Sequence, residues 1–415
     1  MEINCFTTHY NNCILYPKDE NGREIKIFEF NEITITGESL LYPNPVFYDT
    51  KQDKVYTPYK EGVMSLKGVE ENKEIRIDKD YVNDNIEHDP VFFFIYNTDN
   101  YYHFVYDSLP ILISFLKLKK TIPHIKLLMS YPNSSKNDFY RFVTEFLELI
   151  GVKDDIKLVS YKTLYKQVFV SNSYTHDIDS NLPPRQIIYD FYKMIVNTVK
   201  EKRKNEFKIY PENIYVSRRT WTHNDQSNIG TNYTTRRKMM NENELVYKLV
   251  NRGYTEVFTE LLSTEEKILL FANAKNVIGA IGGGLCNVLF SNKNCKLISL
   301  NSPTFLDINR RFTYSFSNVN YIPFNYTYHT EKEYFKTNMR VKIGNIVGEI
   351  IKIDHSESDL VDSLAYISYS DTKIAGWNND IKYNTTFAKL KDCIKLDNGL
   401  NSPWSVNIEE LEKIL

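Results

Sequence analysis

Residues 277–290 read Val-Ile-Gly-Ala-Ile-Gly-Gly-Gly-Leu-Cys-Asn-Val-Leu-Phe, an apolar run that enters three consecutive glycines and leaves them as a second apolar run. A buried strand that turns at once into a helix belongs to an α/β layer arrangement, with the strand in a parallel sheet and the helix on its face. Gly282, Gly283 and Gly284 have no Cβ, so the backbone there can turn tightly and let another group come close. Such a turn collects amide N–H groups and the positive end of a helix at one point, which suits an anion. A plain βα turn would look the same. The spacing from Gly279 fits no dinucleotide fingerprint, and no Lys-Ser/Thr pair follows to make a P-loop.

The surrounding pattern repeats the alternation. A strand at Asn213–Val216 leads through a polar loop to Asn241, which with Glu244 three residues on reads as a capping box. Leu245, Val246, Leu249 and Val250 recur at helical spacing, and Gly253 supplies the stop. A strand at Thr255–Phe258 follows, then a second cap at Ser263 with Glu266, a helix to about Ala274, strand Val277–Ala280, the glycine turn, a helix at Leu285–Phe290 and strand Lys296–Leu300. This is a doubly wound half-fold. Upstream, Val91–Tyr96, Leu109–Leu118 and Ile125–Met129 alternate strand, helix and strand. A helix over about 138–150 stops before Gly151, a strand follows at Gln167–Val170, and a long helix runs from Pro183-Pro184 to about Lys200. The expected division is an N-terminal β-containing region (1–90), a Rossmann-like unit (91–200), a second Rossmann-like unit (207–330) and a C-terminal extension (331–415). The charged run from Lys200 to Glu206 is the linker, and the closing Ser402-Pro-Trp-Ser-Val-Asn-Ile-Glu-Glu-Leu-Glu reads as a strand and helix that return to the core.

Composition excludes several classes. With 415 residues, 42% hydrophobic, 25% charged and a formal net charge of −2, the chain has neither a nucleic-acid-binding excess of cations nor a polyacidic tail. Its 31 Tyr and 24 Phe reflect coding bias as readily as function. The five cysteines show no CxxC spacing, which argues against a zinc site or a disulfide framework. No apolar run approaches the roughly 20 residues of a bilayer span, and the N-terminal residues lack the pattern of a secretory signal. A cytoplasmic protein with reduced thiols is expected, of unspecified oligomeric state.

Two groups of residues carry chemistry. In Asn100-Tyr-Tyr-His-Phe-Val-Tyr-Asp-Ser-Leu-Pro110, His103 and Asp107 stand four apart and share one helical face just after a strand. A carboxylate partnered by a nearby imidazole can act as a general base; otherwise Asp107 caps a turn and His103 is a satisfied core residue. Arg218 and Arg219 follow directly on a strand, and Arg236 and Arg237 lie at the far end of its loop. The planar guanidinium matches phosphate oxygens, although an exposed arginine is often merely solvated. Glu260, at another strand end, could hold ribose hydroxyls or face water. Asp78-Lys-Asp80 and Asp177-Ile-Asp179 have the form of a divalent-metal motif, but two such matches arise by chance among 53 acidic residues.

Taken in order, the segment 100–110, Ile214-Tyr-Val-Ser-Arg-Arg219, Arg237 with Asn241-Glu242, Glu260 with Leu262-Ser263 and Glu266, and Gly282-Gly-Gly-Leu-Cys-Asn287 with Leu289-Phe290 resemble glycosyltransferase family 61 over about residues 90–325. The resemblance implies a GT-B-like α/β architecture, two Rossmann-type domains facing a cleft. It implies inverting, metal-independent transfer from a UDP-sugar, of xylose or N-acetylglucosamine type, to a hydroxyl of a glycan or glycoconjugate. Carried over by position, Asp107, or His103 in its place, is the base. Arg218, with Arg219 and Arg237 nearby, and the Gly282–Gly284 turn neutralise the diphosphate, and Glu260 and Asn287 help hold the donor. The chain departs from the family pattern at Ile281, where a His is usual, at Gly283 in place of Ala, and at Lys267 in place of Gln. The alternatives are a catalytically inactive nucleotide-sugar or glycan-binding protein, for which Ile281 speaks, and a metal-dependent transferase built on Asp177 and Asp179.

Overall fold

The computed structural model of the chain describes residues 11–16, 18–19, 21–36, 46–57, 59–60, 63–64, 69–74, 77, 85–94, 100–130, 138–160, 163–175, 182–219, 239–303, 306–329, 340–344, 346–354, 363–369, 384–395 and 404–415. Val91–Phe93 is buried on both faces, as its uninterrupted apolar sequence requires. It pairs in parallel with Lys126–Met129 on one side and Thr163–Ser171 on the other. Beyond Thr163–Ser171 the sheet turns antiparallel: the long strand Ile25–Thr36 lies there, followed by Val46–Asp49, Lys54–Thr57 and Glu70–Glu71. Strands from the first 90 residues and from the 91–171 stretch therefore share a single mixed sheet.

The single helical run anticipated over 109–118 is two segments, preceded by a third. Phe104–Ser108 forms a π turn, Leu109–Ile111 a 3₁₀ turn, and Leu112–Lys119 an α-helix. Pro110 explains the break, because it has no N–H to return to the preceding turn and its ring crowds the carbonyl there. The wide π turn ahead of it is a local insertion of the kind that re-aims side chains.

The second sheet is wholly parallel, in the order Thr255–Val257, Asn213–Val216, Asn276–Ala280, Lys296–Leu300, Asn320–Phe324. Order reverses at Asn213–Val216, which makes the gap between it and Asn276–Ala280 the topological switch point. The box at Ser263 and Glu266 forms as expected and opens the helix Thr264–Asn273. Asn241 does not cap with its side chain. Its amide instead donates to the Val406 carbonyl (2.7 Å) and accepts from the Val406 amide (3.0 Å), clamping the C-terminal strand. The segment after the glycines, Gly283–Phe290, is a 3₁₀-helix where an α-helix was expected. The Gly282 carbonyl accepts from the Leu285 amide at 3.1 Å, the i→i+3 bond of a 3₁₀ turn, and the Asn287 side chain donates to the Gly284 carbonyl at 2.8 Å.

Trp404–Val406 pairs antiparallel with Thr327–His329, and the helix Ile408–Glu412 seats Leu411 against Tyr215, Leu245, Ile278 and Leu300. The close of the chain thus packs back on the second sheet. Between these elements a five-stranded antiparallel sheet (residues 340–395) holds a small core of Val341, Ile350, Ala365, Ile367, Leu390 and Cys393. The principal core runs without interruption from Ile25 to Val319 and joins the two large sheets through helices, with Phe290 stacked on Phe146 (5.9 Å) and edge-on to Tyr192 (5.5 Å). The Lys200–Glu206 stretch is the end of the helix Gln186–Lys202 and the turn after it; Lys202 and Arg203 are ion-paired to Glu265 on the far side. Among the described residues no helix is long and apolar enough to cross a membrane.

Candidate functional site

Parallel strands leave their chemistry at their carboxyl ends, and both sheets do so here. His103 follows Val91–Phe93; Arg218, Glu260 and the glycine turn follow Asn213–Val216, Thr255–Val257 and Asn276–Ala280. The two sets meet. A Cβ placed on Gly283 would lie 3.9 Å from the Tyr102 amide nitrogen and 4.0 Å from the Tyr101 Cβ, so the glycine turn rests on the start of the helix that carries His103.

His103 Nδ1 stands 2.7 Å from Asp107 Oδ2, confirming that the two residues share a face. Asp107 is 2% exposed, and its other oxygen accepts from Arg311 (2.5 Å) and Thr175 (3.2 Å). A carboxylate flanked by an arginine is an acceptor only, so Nδ1 carries the imidazole proton and Nε2 has its lone pair free for a substrate proton. The His103 side chain keeps 31% of its surface exposed, whereas Asp107 lies behind it. Of the two candidates for a base, His103 is the one that can reach a ligand. Arg311 is itself fixed by the rings of Tyr102 (5.3 Å) and Tyr106 (5.2 Å). Neither Arg311 nor Thr175 was singled out from sequence, because nothing local ties them to position 107.

At the switch point Arg218 Nη1 donates to the Ile281 carbonyl at 3.2 Å, and a Cβ on Gly282 would stand 2.7 Å from the same nitrogen. Gly282 has extended backbone (φ 167°), so its lack of a side chain serves close approach rather than an unusual dihedral. Gly284 is required for a different reason, since its Cβ would come 2.7 Å from Thr259 Oγ1 and 3.1 Å from Val216 Cγ1. The Ile281 side chain is buried in the principal core. Burial pulls the Arg218 guanidinium below the usual arginine range, while Glu242 and Glu260 pull it back up. Glu242, 1% exposed, accepts through Oε1 from the Arg218 amide (2.8 Å), Tyr215 Oη (2.8 Å) and Ser217 Oγ (3.3 Å), and burial raises its pKa. It fixes the turn that presents Arg218.

Other expected residues are placed elsewhere. Arg219 makes a two-pronged pair with Glu256 (2.8 and 2.6 Å) and also donates to Asn243 (2.8 Å), which turns its guanidinium to the sheet edge. Asn287 is fully buried; it accepts from Tyr101 Oη at 2.5 Å and donates to the Gly284 carbonyl, so it latches the two halves of the site together. Glu260 lies in the 3₁₀ turn Thr259–Leu261, within electrostatic reach of both Arg218 and Lys267. Arg236, Arg237, Asp78, Asp80, Asp177 and Asp179 lie outside the described residues. Among the described residues no cluster of three or more His, Cys, Asp or Glu side chains has the geometry of a metal site.

An imidazole paired to a buried carboxylate, an arginine at a switch point and a glycine turn thus lie at the carboxyl ends of the parallel strands. The Glycosyltransferase 61 family model matches residues 101–298. The match opens at Tyr101, closes in the strand Lys296–Leu300 and holds His103, Asp107, Arg218, Glu260 and Gly282–Gly284. The resemblance to glycosyltransferase family 61 drawn from the ordered motifs is borne out over that stretch. This is a family of glycosyltransferases, which join a sugar donor to an acceptor. Arg311, the third member of the Asp107 network, falls beyond the matched residues. No curated protein matches the chain.

Proposed function

We propose that this chain is an inverting, metal-independent glycosyltransferase that moves a sugar from a UDP-sugar, of xylose or N-acetylglucosamine type, to a hydroxyl of a glycan or glycoconjugate. In this reading the two parallel-stranded regions act as the halves of a GT-B-like enzyme, with the nucleotide held by the second. The observation that supports it best is the contact of the glycine turn, whose Ile281 carbonyl accepts from Arg218, with Tyr101 and Tyr102 beside His103. The free thiols of Cys286, Cys295 and Cys393 support a cytoplasmic setting.

The acceptor hydroxyl gives its proton to His103 Nε2 while its oxygen attacks the anomeric carbon. The bond from that carbon to the diphosphate breaks on the opposite face, and UDP departs. Asp107 holds the imidazole in the correct tautomer and stabilises the imidazolium that forms, a positioning role. Arg218 meets the charge that develops on the leaving diphosphate, in a site where burial strengthens the interaction. Glu260 holds the ribose hydroxyls in this reading.

Calorimetric titration with UDP and a panel of UDP-sugars, with and without EDTA, tests the proposal when donor hydrolysis is followed in parallel. Binding that ignores EDTA, with slow hydrolysis of one donor, is the expected result. EDTA-sensitive binding would overturn metal independence, and no binding of any nucleotide would overturn the donor site.

A further inference from the structure

Lys267 sits in the first turns of the helix Thr264–Asn273, 8% exposed. Its Nζ lies 4.6 Å from the centroid of the Tyr101 ring and makes no hydrogen bond or ion pair among the described residues. Charged groups face it from two other elements: Arg141 and Glu145 on the helix Arg141–Ile150, and Glu260 on the 3₁₀ turn Thr259–Leu261. Glu145 is engaged by the Thr264 amide (3.0 Å) and by Arg141 (3.5 Å). A buried ammonium held only by a ring face and more distant carboxylates is costly, and such groups are retained where a ligand completes them. Tyr101 touches the glycine turn at Gly283, the turn makes room for Arg218 at Gly282, and Glu260 interacts with both cations.

We propose that Lys267, over the Tyr101 ring that borders the glycine turn, is a second cation of the donor site and binds the diphosphate of the nucleoside-diphosphate sugar. This rests on the donor reading above. Burial, with Arg141 adding to it, lowers the Lys267 pKa to about 8. A bound diphosphate favours the ammonium, so donor affinity is full below that value and declines as pH rises through it. Arg218 remains charged throughout.

The test is calorimetric titration of the intact protein with UDP between pH 7 and 9, alongside Lys267→Gln and Arg218→Ala. Wild-type affinity is expected to fall roughly tenfold across that window, as a group titrating near 8 loses its proton. Lys267→Gln is expected to bind UDP roughly tenfold more weakly at pH 7, with a flat profile, as for any loss of one phosphate-paired cation. A flat wild-type profile would overturn the role, and needs no variant to fold. So would a Lys267→Gln protein with wild-type affinity and slope; if Arg218→Ala then still loses UDP, the donor reading stands and only Lys267 is removed from it. Failure of the wild-type protein to bind UDP at any pH would instead overturn the donor reading, and Lys267 with it.

Discussion

Replacing the three glycines one at a time separates close approach from mere turning. A Cβ on Gly282 would stand 2.7 Å from Arg218 Nη1, against an ordinary closest contact of 3.4 Å or more, so the guanidinium must retreat by about 0.7 Å. Extended backbone at Gly282 accepts alanine without strain, and the displaced atoms are the end of a long side chain, so stability changes by less than about 1 kcal/mol. Binding pays instead. Arg218 leaves the Ile281 carbonyl and with it, on the proposed function, its place at the donor diphosphate. A charge-assisted hydrogen bond is worth about 1.5–3 kcal/mol, which corresponds to a roughly 10–100-fold loss of UDP affinity. Gly283→Ala meets nothing nearer than 3.9 Å and should bind and melt like wild type. Gly284→Ala drives a methyl into Thr259 and Val216, both buried and β-branched, and should lower stability by about 1–3 kcal/mol. Calorimetry with UDP and thermal melts on the three variants give the six readings. Wild-type UDP affinity in Gly282→Ala, or an equal loss in Gly283→Ala, would refute the argument.

The base and its support should part company on substitution. His103→Gln is expected to lower kcat by about 10²–10⁴ with UDP affinity and melting little changed, and wild-type turnover would exclude His103 as the base. Asp107→Asn should reduce turnover and also cost about 1–3 kcal/mol, because the half-buried Arg311 loses its carboxylate; an unchanged melting temperature would contradict this. The Glu266 carboxyl is held at about 2 by Lys208 and by the Ser263 amide. Because its folded pKa lies below the usual 4.5, its stabilisation is whole above that value and fades as pH falls towards 2. Glu266→Gln should therefore melt below wild type at neutral pH and converge with it in acid; a gap that does not change with pH would count against the pair. Trp404→Ala removes a fully buried side chain from the second core and should destabilise by about 3–5 kcal/mol in denaturant titration, a cost near zero showing that the C-terminal strand is dispensable.

What the residues declare by themselves is local. The parallel strands of the second sheet, the box at Ser263 and Glu266, the stop at Gly253 with its left-handed φ of 83°, and the shared face of His103 and Asp107 each arise from groups within about four positions of one another. Hydrophobic period and short-range hydrogen bonds suffice to specify them. Partnerships at a distance follow another rule. Arg311 reaches Asp107 across 204 positions and Tyr101 reaches Asn287 across 186, so neither pair has a signature in the chain. Arg218 and Arg219 are neighbours of one residue type, yet one is turned towards the glycine turn and the other is held by Glu256. The same holds for Asn241, which abandons its expected cap for Val406, and for Asn287, which is taken up by Tyr101 and the Gly284 carbonyl. A buried polar group must find a partner, but which partner it finds is decided by what packing brings beside it. The sequence by itself determined the alternating α/β frame and the residue types at its strand ends. The tertiary structure decided what each of them meets, that the partly exposed His103 covers the buried Asp107, and that Lys267 lies over the Tyr101 ring.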